Sequence, residues 1–311
     1  MPKLRHIHIY IIITFLSLVS FFIALDAHSA EKKPYIVPFV ETSVKIDAVL
    51  DEDVWKKAVK IDANIEVRPG ENIESPVKTE VLMAYDETHI YVAFNAFDPN
   101  PSQIRAHLCD RDDIWNDDWV LILFDTFNDR RQSYDFFCNP YGIQADEIES
   151  SEGGGQWDAI WESEGRITDE GYIVEMAIPF NVLRFQPGGT DQVWSFDAVR
   201  SYPRNVRHHI GAFTRDRNNN CYLCQAEKLI GFADAIPGKN VELDPTFSVG
   251  YSQERENETS EPLVEKDKQF DPGLTARWGL TTNTTLNVAL NPDFSQVEAD
   301  AAQMDINRKF P

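Results

Sequence analysis

The chain is poor in positive charge. Its 311 residues include 29 lysines and arginines against 51 aspartates and glutamates, which gives a formal net charge of −22. Because such a field repels phosphate groups, the composition argues against nucleic acid and anionic lipid headgroups as principal partners. Apolar residues make up 42% of the chain. That fraction is enough for a full core, and the length allows two domains.

The signatures of several enzyme classes are missing. The sequence contains no nucleophile elbow, no phosphate-binding loop and no zincin helix. Glycoside hydrolysis needs two carboxylates opposed across the sugar bond. The candidates are Glu147, Glu149, Glu152, Glu162 and Glu175. No spacing singles out a pair, and Glu175 alternates with core-type residues in a strand pattern, so we predict no catalytic residue.

Cysteine is scarce. The four cysteines are Cys109, Cys138, Cys221 and Cys224. The last two have the spacing of a metal knuckle or a redox pair, but zinc needs four ligands and the sequence has no second such pair. We expect either a local disulfide or two free buried thiols there. Four cysteines allow three pairings, and the sequence does not choose among them.

One apolar run stands out, at residues 10–25. It follows a basic stretch with Lys3 and Arg5, and small residues lead from it to Ala30. This pattern predicts a secretory signal peptide over residues 1–30. An uncleaved anchor is the alternative, although the run is short for a membrane span. Export would place the cysteines in an oxidising compartment.

Short segments with a period of two dominate the region after the signal. They lie at residues 79–85, 90–97, 133–138, 172–178, 193–199 and 210–213, and a further strand candidate, 119–124, is apolar on both faces. Turn-forming clusters separate them, and one short helix is expected after Asp51. Many short strands with little helix predict an all-β fold, an antiparallel β-sandwich over residues 31–240.

From Val241 onward, apolar and small polar residues alternate, with aromatic residues such as Phe247, Tyr251 and Trp278. Alternating strands of this kind are typical of a membrane β-barrel, and the polar stretch 254–268 predicts a long loop. The strands are too few to close a barrel. Residues 241–311 are therefore interpreted either as part of a longer chain or as an extension of the sandwich.

The order of five short motifs carries a resemblance. They lie at residues 44–55, 85–93, 111–118, 134–142 and 171–180. In this order, over roughly residues 41–235, they resemble the family nine carbohydrate-binding modules. The resemblance implies a jelly-roll-like β-sandwich that binds carbohydrate. Modules of this family are often attached to xylan-degrading enzymes, and some hold structural calcium.

The tail is similar to the start of an uncharacterised barrel region that follows such modules in many Gram-negative proteins. The similarity lies at residues 290–300 and 307–311. Chains of that type continue well past this point, so we interpret the sequence as truncated. The resemblance implies the first strands of an outer-membrane β-barrel at residues 241–311. It places the protein in the periplasm or outer membrane of a Gram-negative bacterium.

Sugar recognition needs a flat aromatic surface for the C–H face and planar polar groups for hydroxyls. The predicted carbohydrate-binding residues are Trp115, Arg111, Asn116, Asp117, Trp157, Arg200 and Arg204. Trp115 would be one stacking platform and Trp157 the opposing one, while Trp161 is expected in the core. The basic residues between 200 and 217 are candidates for binding acidic or hydroxyl-rich sugars through the planar guanidinium group. The alternative is that they neutralise the aspartate-rich loops.

Carboxylate oxygens are the ligands that calcium prefers. The aspartates of residues 110–125 do not follow the order of an EF-hand, so they form a generic acidic loop. The expected metal ligands are Asp112, Asp113 and Asp118. A structural calcium ion is the only cofactor predicted.

We expect carbohydrate binding at the cell envelope, supporting capture or catabolism of a xylan-like polysaccharide, with an oligosaccharide or polysaccharide as partner and no nucleic acid. One alternative is a non-catalytic periplasmic plug or docking domain of an outer-membrane transport barrel. A second alternative is a glycoside hydrolase.

Overall fold

The computed structural model describes residues 33–150, 155–186, 190–236, 241–254, 264–281 and 284–291. The predicted signal peptide and most of the tail motif lie outside these residues. Among the described residues there is one α-helix, α1 (Asp53–Lys57). None of their helices has the length and apolar character needed to cross a membrane.

The first nine strands, in chain order, are β1 (Tyr35–Ile36), β2 (Val59–Asp62), β3 (Ile65–Arg68), β4 (Ile73–Glu74), β5 (Thr79–Tyr85), β6 (His89–Phe97), β7 (Trp119–Asp125), β8 (Gln132–Cys138) and β9 (Gln144–Ser150). The remaining nine are β10 (Gly155–Gln156), β11 (Glu162–Thr168), β12 (Gly171–Pro179), β13 (Gln192–Pro203), β14 (Arg207–Gly211), β15 (Glu227–Gly231), β16 (Val241–Glu254), β17 (Val264–Thr281) and β18 (Thr284–Leu290).

Two antiparallel sheets form a sandwich. The small sheet has the strand order β11-β12-β6-β5-β2. The large sheet has ten strands, most of them in the order β10-β9-β8-β7-β13-β14-β3-β4. The predicted all-β sandwich is therefore confirmed, and most of the predicted strands match observed ones to within one or two residues.

Local chemistry explains the tight turn between β5 and β6. The Oδ1 atom of Asp86 accepts hydrogen bonds from the backbone amides of Thr88, at 2.6 Å, and His89, at 2.7 Å. An aspartate that caps the amides ahead of it in this way stabilises a turn. The sequence predicts a turn at this place, and the strands on either side then pair along their whole length.

The core lies between the two sheets. In the large sheet the alternate residues that face the small sheet are completely buried, including Ile122, Phe124 and Phe136. Val92 and Phe94 of β6 are equally buried on the opposing face. Removing one such side chain from water contributes about 2 kcal/mol. A packed interior of this kind fixes the register of both sheets, because a slip of one residue would expose the apolar set.

The other face of the small sheet is covered by α1 and the chain before it. Val54 and Trp55 of the helix pack in one buried cluster with Tyr91, Ala93 and neighbouring residues. The helix thus closes the small sheet from outside. The corresponding face of the large sheet is covered differently, as described below.

The strands β16, β17 and β18 form a third sheet with two unlike faces. Cross-strand partners place Val249 beside Phe270, and Leu274 beside Leu290, on one face. These side chains are exposed, as are others of the same face: Val241, Leu243, Phe247, Tyr251, Trp278, Leu286 and Val288. The alternate positions carry polar residues such as Ser248 and Asp271. The predicted alternation in this region is confirmed.

The polar stretch 254–268 differs in part from the expectation of a long loop. β16 reaches Glu254 and β17 begins at Val264, so both strands extend into it. Residues 255–263 lie outside the described residues.

Candidate functional site

The large sheet has an outer face, turned away from the small sheet. Cross-strand pairing places Trp119, Ser201, His209 and Arg68 in one row across β7, β13, β14 and β3. Antiparallel partners project to the same side of a sheet. These four residues therefore share the outer face, although they come from four separate parts of the sequence.

Apolar residues fill the centre of the outer face. Leu121 and Val199 are direct partners, and they belong to a buried cluster that also contains Phe137. Two chain segments cover this cluster, one through Ile114 and the other through Leu223. The outer face is thus a second packed surface.

We call residues 215–225 the covering segment. Its Arg215 Nη2 donates to Asp197 Oδ2 at 2.7 Å and to the hydroxyl oxygen of Tyr222 at 2.8 Å. The Tyr222 hydroxyl donates to the same carboxylate oxygen at 3.0 Å. These bonds hold the segment to β13 and keep Asp197 paired although it is almost fully buried.

A disulfide joins Cys221 and Cys224 within the covering segment. Of the two alternatives that the spacing left open, the local disulfide is therefore the one observed. Cys109 and Cys138 are free thiols. Burial raises the pKa of the Cys138 thiol to about 12, so this cysteine is unreactive.

An open cleft of about 850 Å³ lies between the covering segment and the strands beneath it. Its charged and ring-bearing lining residues are Arg68, Arg207, Arg215, Arg217, Glu149, Asp216, His209 and Tyr222. Four of these are arginines and two are carboxylates. The cleft is therefore a positive region in a protein whose net charge is strongly negative.

The pKa of His209 is affected by burial and by the charges that line the cleft. Burial lowers the pKa of its imidazole to about 4, and the positive charges of Arg68, Arg207 and Arg215 lower it further in the same direction. The ring is therefore neutral at ordinary pH, with one nitrogen as a donor and the other as an acceptor. No hydrogen bond to this ring is found within the described part of the chain.

Trp115 lies on the outer face, with 44% of its surface exposed. Its ring makes edge contacts with Phe137, at a centroid distance of 5.1 Å, and with Trp119, at 6.3 Å. Trp119 in turn contacts His209 at 5.7 Å. A series of contacting rings thus leads from an exposed indole to the lining of the cleft, as a stacking platform would require.

Trp157 does not oppose Trp115, and that expectation is wrong. Its ring packs against Tyr134 at 5.2 Å and Phe136 at 5.7 Å. Phe136 and Phe137 are consecutive in β8, so their side chains point to opposite faces. The two tryptophans are therefore separated by the sheet itself. Trp161 packs on Phe136 and is 6% exposed, which places it in the core as expected.

Arg111 also lies apart from Trp115. Its guanidinium donates to Asp146 at 2.6 Å, to Gln144 at 2.6 Å and to the carbonyl oxygen of Ala159 at 2.8 Å. Asp146 is the cross-strand partner of Phe136 and so faces inward. Arg111 is thus tied to the edge of the inner face. Asn116 is exposed beside Trp115 in sequence.

Asp117 is 2% exposed, which contradicts a role in direct contact with a sugar. Its carboxylate accepts hydrogen bonds from the backbone amide of His107, at 2.9 Å, and from the side-chain amide of Asn139, at 3.0 Å. These contacts anchor the loop before β7. No local pattern predicts these contacts, because the partners are 10 and 22 residues away.

Arg200 and Arg204 are not available to a ligand, contrary to expectation. Arg200 has no exposed surface, and its Nη1 donates to the carbonyl oxygen of Phe97 at 2.8 Å. Arg204 forms ion pairs with Asp98 and Asp118. The alternative reading, that the arginines of this segment neutralise aspartates, describes both residues correctly.

The expected metal ligands Asp112, Asp113 and Asp118 do not come together. Asp118 is fully buried and bound to Arg204. Instead, carboxylate oxygens of Asp112, Asp146 and Asp158 lie within 4.8 Å of one another. Arg111 already donates to Asp146, and its Nε lies 3.7 Å from Asp158. The guanidinium of Arg111 therefore already places a positive charge beside these carboxylates. A structural calcium ion stays a prediction.

Arg68, Trp119 and Tyr222 were not predicted as site residues, and Arg215 and His209 were expected only as members of the basic cluster between residues 200 and 217. The cluster of basic residues between 200 and 217 was the only available signal. Which of its members face the cleft depends on strand register, and periodicity within one segment does not reveal the register of its neighbours.

Comparison with known proteins gives two family matches. Residues 46–213 match the model of the carbohydrate family 9 binding domain-like family. Residues 241–307 match a domain of unknown function, DUF5916. The first match covers both sheets of the sandwich up to the end of β14, and the second begins with β16.

Two curated relatives are enzymes. Endo-1,4-beta-xylanase C from Paenibacillus barcinonensis is 31% identical over 134 residues, which is 43% of this chain and 11% of the relative. Exoglucanase XynX from Acetivibrio thermocellus is 27% identical over 143 residues, 46% of this chain and 12% of the relative. The similarity therefore spans about a tenth of the length of each enzyme.

One solved structure with a TM-score above 0.5 shows the same fold. A putative carbohydrate-binding protein from Bacteroides uniformis has a TM-score of 0.51 at 12% identity and covers 64% of this chain and 98% of its own. A family 9 carbohydrate-binding module from Caldicellulosiruptor kristjanssonii in complex with cellotriose has a TM-score of 0.46 at 16% identity, covering 63% of this chain and 92% of its own. Because the family model spans more than half of the sequence, the chain belongs to the carbohydrate family 9 binding domain-like family.

Proposed function

We propose that the sandwich is a non-catalytic saccharide-binding module and that the outer face of the large sheet carries the binding surface. The observation that supports this most directly is the exposed ring of Trp115, joined through Trp119 and His209 to a polar cleft. Large exposed aromatic rings beside a cleft with polar groups are typical of ligand sites.

The chemistry of the two parts is complementary to a sugar. The indole of Trp115 offers a flat apolar surface on which the C–H face of a pyranose ring can stack. The neutral imidazole of His209 can donate one hydrogen bond and accept another, which suits a hydroxyl group. The apolar and polar contacts would then lie along one row of the sheet.

The curated relatives suggest the class of saccharide. Their names assign them action on xylan and on glucan chains, and the similar region is a small part of each enzyme. A module of this kind would hold a plant-type polysaccharide close to the place where it is degraded. We propose capture of a xylan-like polysaccharide or its oligosaccharides as the biological role.

Titration calorimetry of the full chain with xylo-, cello- and galacturono-oligosaccharides tests this function. We expect Trp115→Ala to weaken binding at least tenfold without loss of folding, because this ring is largely exposed. Phe127→Ala is the matched control, since Phe127 is 37% exposed beyond the opposite end of β7. No heat with any saccharide, for a folded chain, would refute the proposal.

We further propose that the protein is exported and associates with the outer membrane through residues 241–311. Support comes from the predicted signal peptide and from the third sheet, which exposes apolar residues on one face and polar residues on the other. Strands in outer-membrane proteins alternate in this way. A periplasmic docking role for the sandwich is the alternative. It would be favoured if the folded chain bound no saccharide.

A further inference from the structure

We infer that the cleft beside Trp119 takes a sugar residue that carries a carboxylate group, that is, a uronic acid unit of an acidic saccharide. This inference rests on the proposed saccharide binding and specifies its ligand. It follows from the charge, the hydrogen-bonding state and the position of the arginines that line the cleft.

Three of the four cleft arginines form no ion pair with a carboxylate of the described residues. Arg215 is paired with Asp197. Arg207 Nη1 donates to the backbone oxygen of Asp117, at 3.2 Å, and to the Ser201 hydroxyl. Neither of these acceptors carries a charge. Within the described part of the chain, the positive charge of Arg207 is therefore not neutralised by an ion pair.

Arg217 and Arg68 show the same lack of a counter-charge. Arg217 Nη2 donates to backbone carbonyl oxygens, those of Val67 at 2.7 Å and of Pro69 at 3.0 Å among them. Arg68 is exposed, and no hydrogen bond or ion pair of its side chain is found among the described residues. In addition, the Nε atom of Arg215 is buried without a hydrogen-bond partner.

Such a concentration of uncompensated positive charge is unusual in this molecule. The chain has 51 acidic residues against 29 basic ones, so carboxylates were available to pair with these arginines. The cleft holds Glu149 and Asp216 as its only acidic lining residues among those described. Burial is the main cause of the lowered pKa of His209, and the positive charges of Arg68, Arg207 and Arg215 act in the same direction.

A carboxylate fits these groups better than a neutral hydroxyl does. The guanidinium group is planar and presents paired donors whose spacing matches the two oxygens of a carboxylate. Hydrogen bonds to a charged acceptor are roughly twice as strong as neutral ones. The contacting rings of Trp119 and Trp115 would accept the neighbouring sugar unit. The arginines and the aromatic rings would then bind one and the same ligand.

The full chain should therefore be titrated with trigalacturonate and with the same trimer carrying methyl esters. The two ligands have the same ring skeleton, but the ester carries no negative charge. We expect trigalacturonate to bind at least tenfold more tightly than its methyl ester, and the difference to shrink as the ionic strength rises.

The variant Arg68→Gln tests whether the ligand binds in the cleft. Because the Arg68 side chain is exposed and unpaired in the described structure, this variant should keep its melting temperature. We expect it to bind trigalacturonate about tenfold more weakly and the methyl ester unchanged. Arg131→Gln is the matched control, since Arg131 is an exposed arginine in the turn before β8 and does not line the cleft.

The outcomes separate the inference from the proposed function. Equal binding of the two trimers would overturn the inference and leave saccharide binding intact. Binding of neutral xylotriose that is as tight as that of trigalacturonate would have the same consequence. A preference for trigalacturonate that is as large in Arg68→Gln as in the unsubstituted chain would overturn the cleft as its site. A sulfated trisaccharide that binds more tightly than trigalacturonate would assign the cleft to sulfate esters instead. Absence of binding to every saccharide would remove both proposals.

Discussion

Arg200 shows how a cation is accommodated in the interior. Its guanidinium lies over the rings of Tyr172, at 5.0 Å, and Tyr202, at 5.2 Å, and 3.6 Å from the carboxylate of Asp98. Attraction to the ring faces and to the carboxylate offsets part of the desolvation of the charge. The side chain links the inner face of the large sheet to β6 of the small one.

We expect Arg200→Met to lower the free energy of unfolding by about 3 kcal/mol, because it removes the hydrogen bond to Phe97 and leaves Asp98 with one arginine instead of two. Urea denaturation of the full chain measures the change. Arg131→Met, at an exposed position, should stay within about 0.5 kcal/mol of the unsubstituted chain. Equal stability of the two variants would contradict the role given to Arg200.

Glu175 makes stability depend on pH. Burial raises the pKa of its carboxyl group to about 7, although the amides of Asp47 and Ala48 donate to it. Because this pKa exceeds that of the unfolded chain, the folded state binds the proton more tightly. The resulting contribution to stability is complete below about pH 4.5 and is lost as the pH rises through about 7.

We expect Glu175→Gln to remove this contribution. The difference in unfolding free energy between the variant and the unsubstituted chain should change by up to about 3 kcal/mol between pH 4.5 and pH 7.5. Denaturant titrations at several pH values check it. A pH-independent difference would show that Glu175 does not titrate in this range.

For individual residues, the sequence predicted little of the site. Trp115 is exposed, and its role as a stacking platform stays a prediction. Arg200 and Arg204 were expected to be accessible because arginine is seldom buried. Their partner Asp98 is more than 100 residues earlier in the chain, and no local pattern connects the two ends of such a contact.

Among the elements, the covering segment controls access to the outer face. Its disulfide closes a short loop beside Tyr222 and Leu223, which contact Asp197 and the buried cluster. The loop is irregular and has no period, so the sequence suggested the local disulfide but not the face that the segment covers. Five of the predicted strands, those at 79–85, 90–97, 119–124, 133–138 and 172–178, match observed ones to within a residue, whereas strands such as β9 and β11 were not predicted.

Replacing Cys221 and Cys224 together by serine should cost about 2 kcal/mol of stability, since the short loop is no longer closed in the unfolded chain. We also expect weaker saccharide binding, because Tyr222 and Arg215 line the cleft. Thermal denaturation and calorimetry report the two effects. Cys109→Ala is the control, and an identical loss of affinity in it would point away from the disulfide.

At the scale of the whole molecule, the exposed apolar face of the third sheet bears on whether the protein contacts a membrane. Val249 and Ser248 are neighbours in β16 that project to its apolar and polar faces, respectively. If the apolar face contacts lipid, Val249→Asp should reduce sedimentation of the full chain with neutral phosphatidylcholine vesicles several-fold, because a charge in a lipid-facing position is unfavourable. Ser248→Asp should leave it unchanged. Equal behaviour of both variants would argue against membrane contact by this face.

Consecutive residues of β13 serve different purposes. Ala198 and Arg200 point into the interior, whereas Val199 and Ser201 point to the outer face. Val199 and Ser201 are themselves buried, so substitutions there act on the outer face through the segments packed on it, while the packing between the two sheets stays the same. Related chains can therefore rearrange this face without first acquiring compensating changes between the sheets.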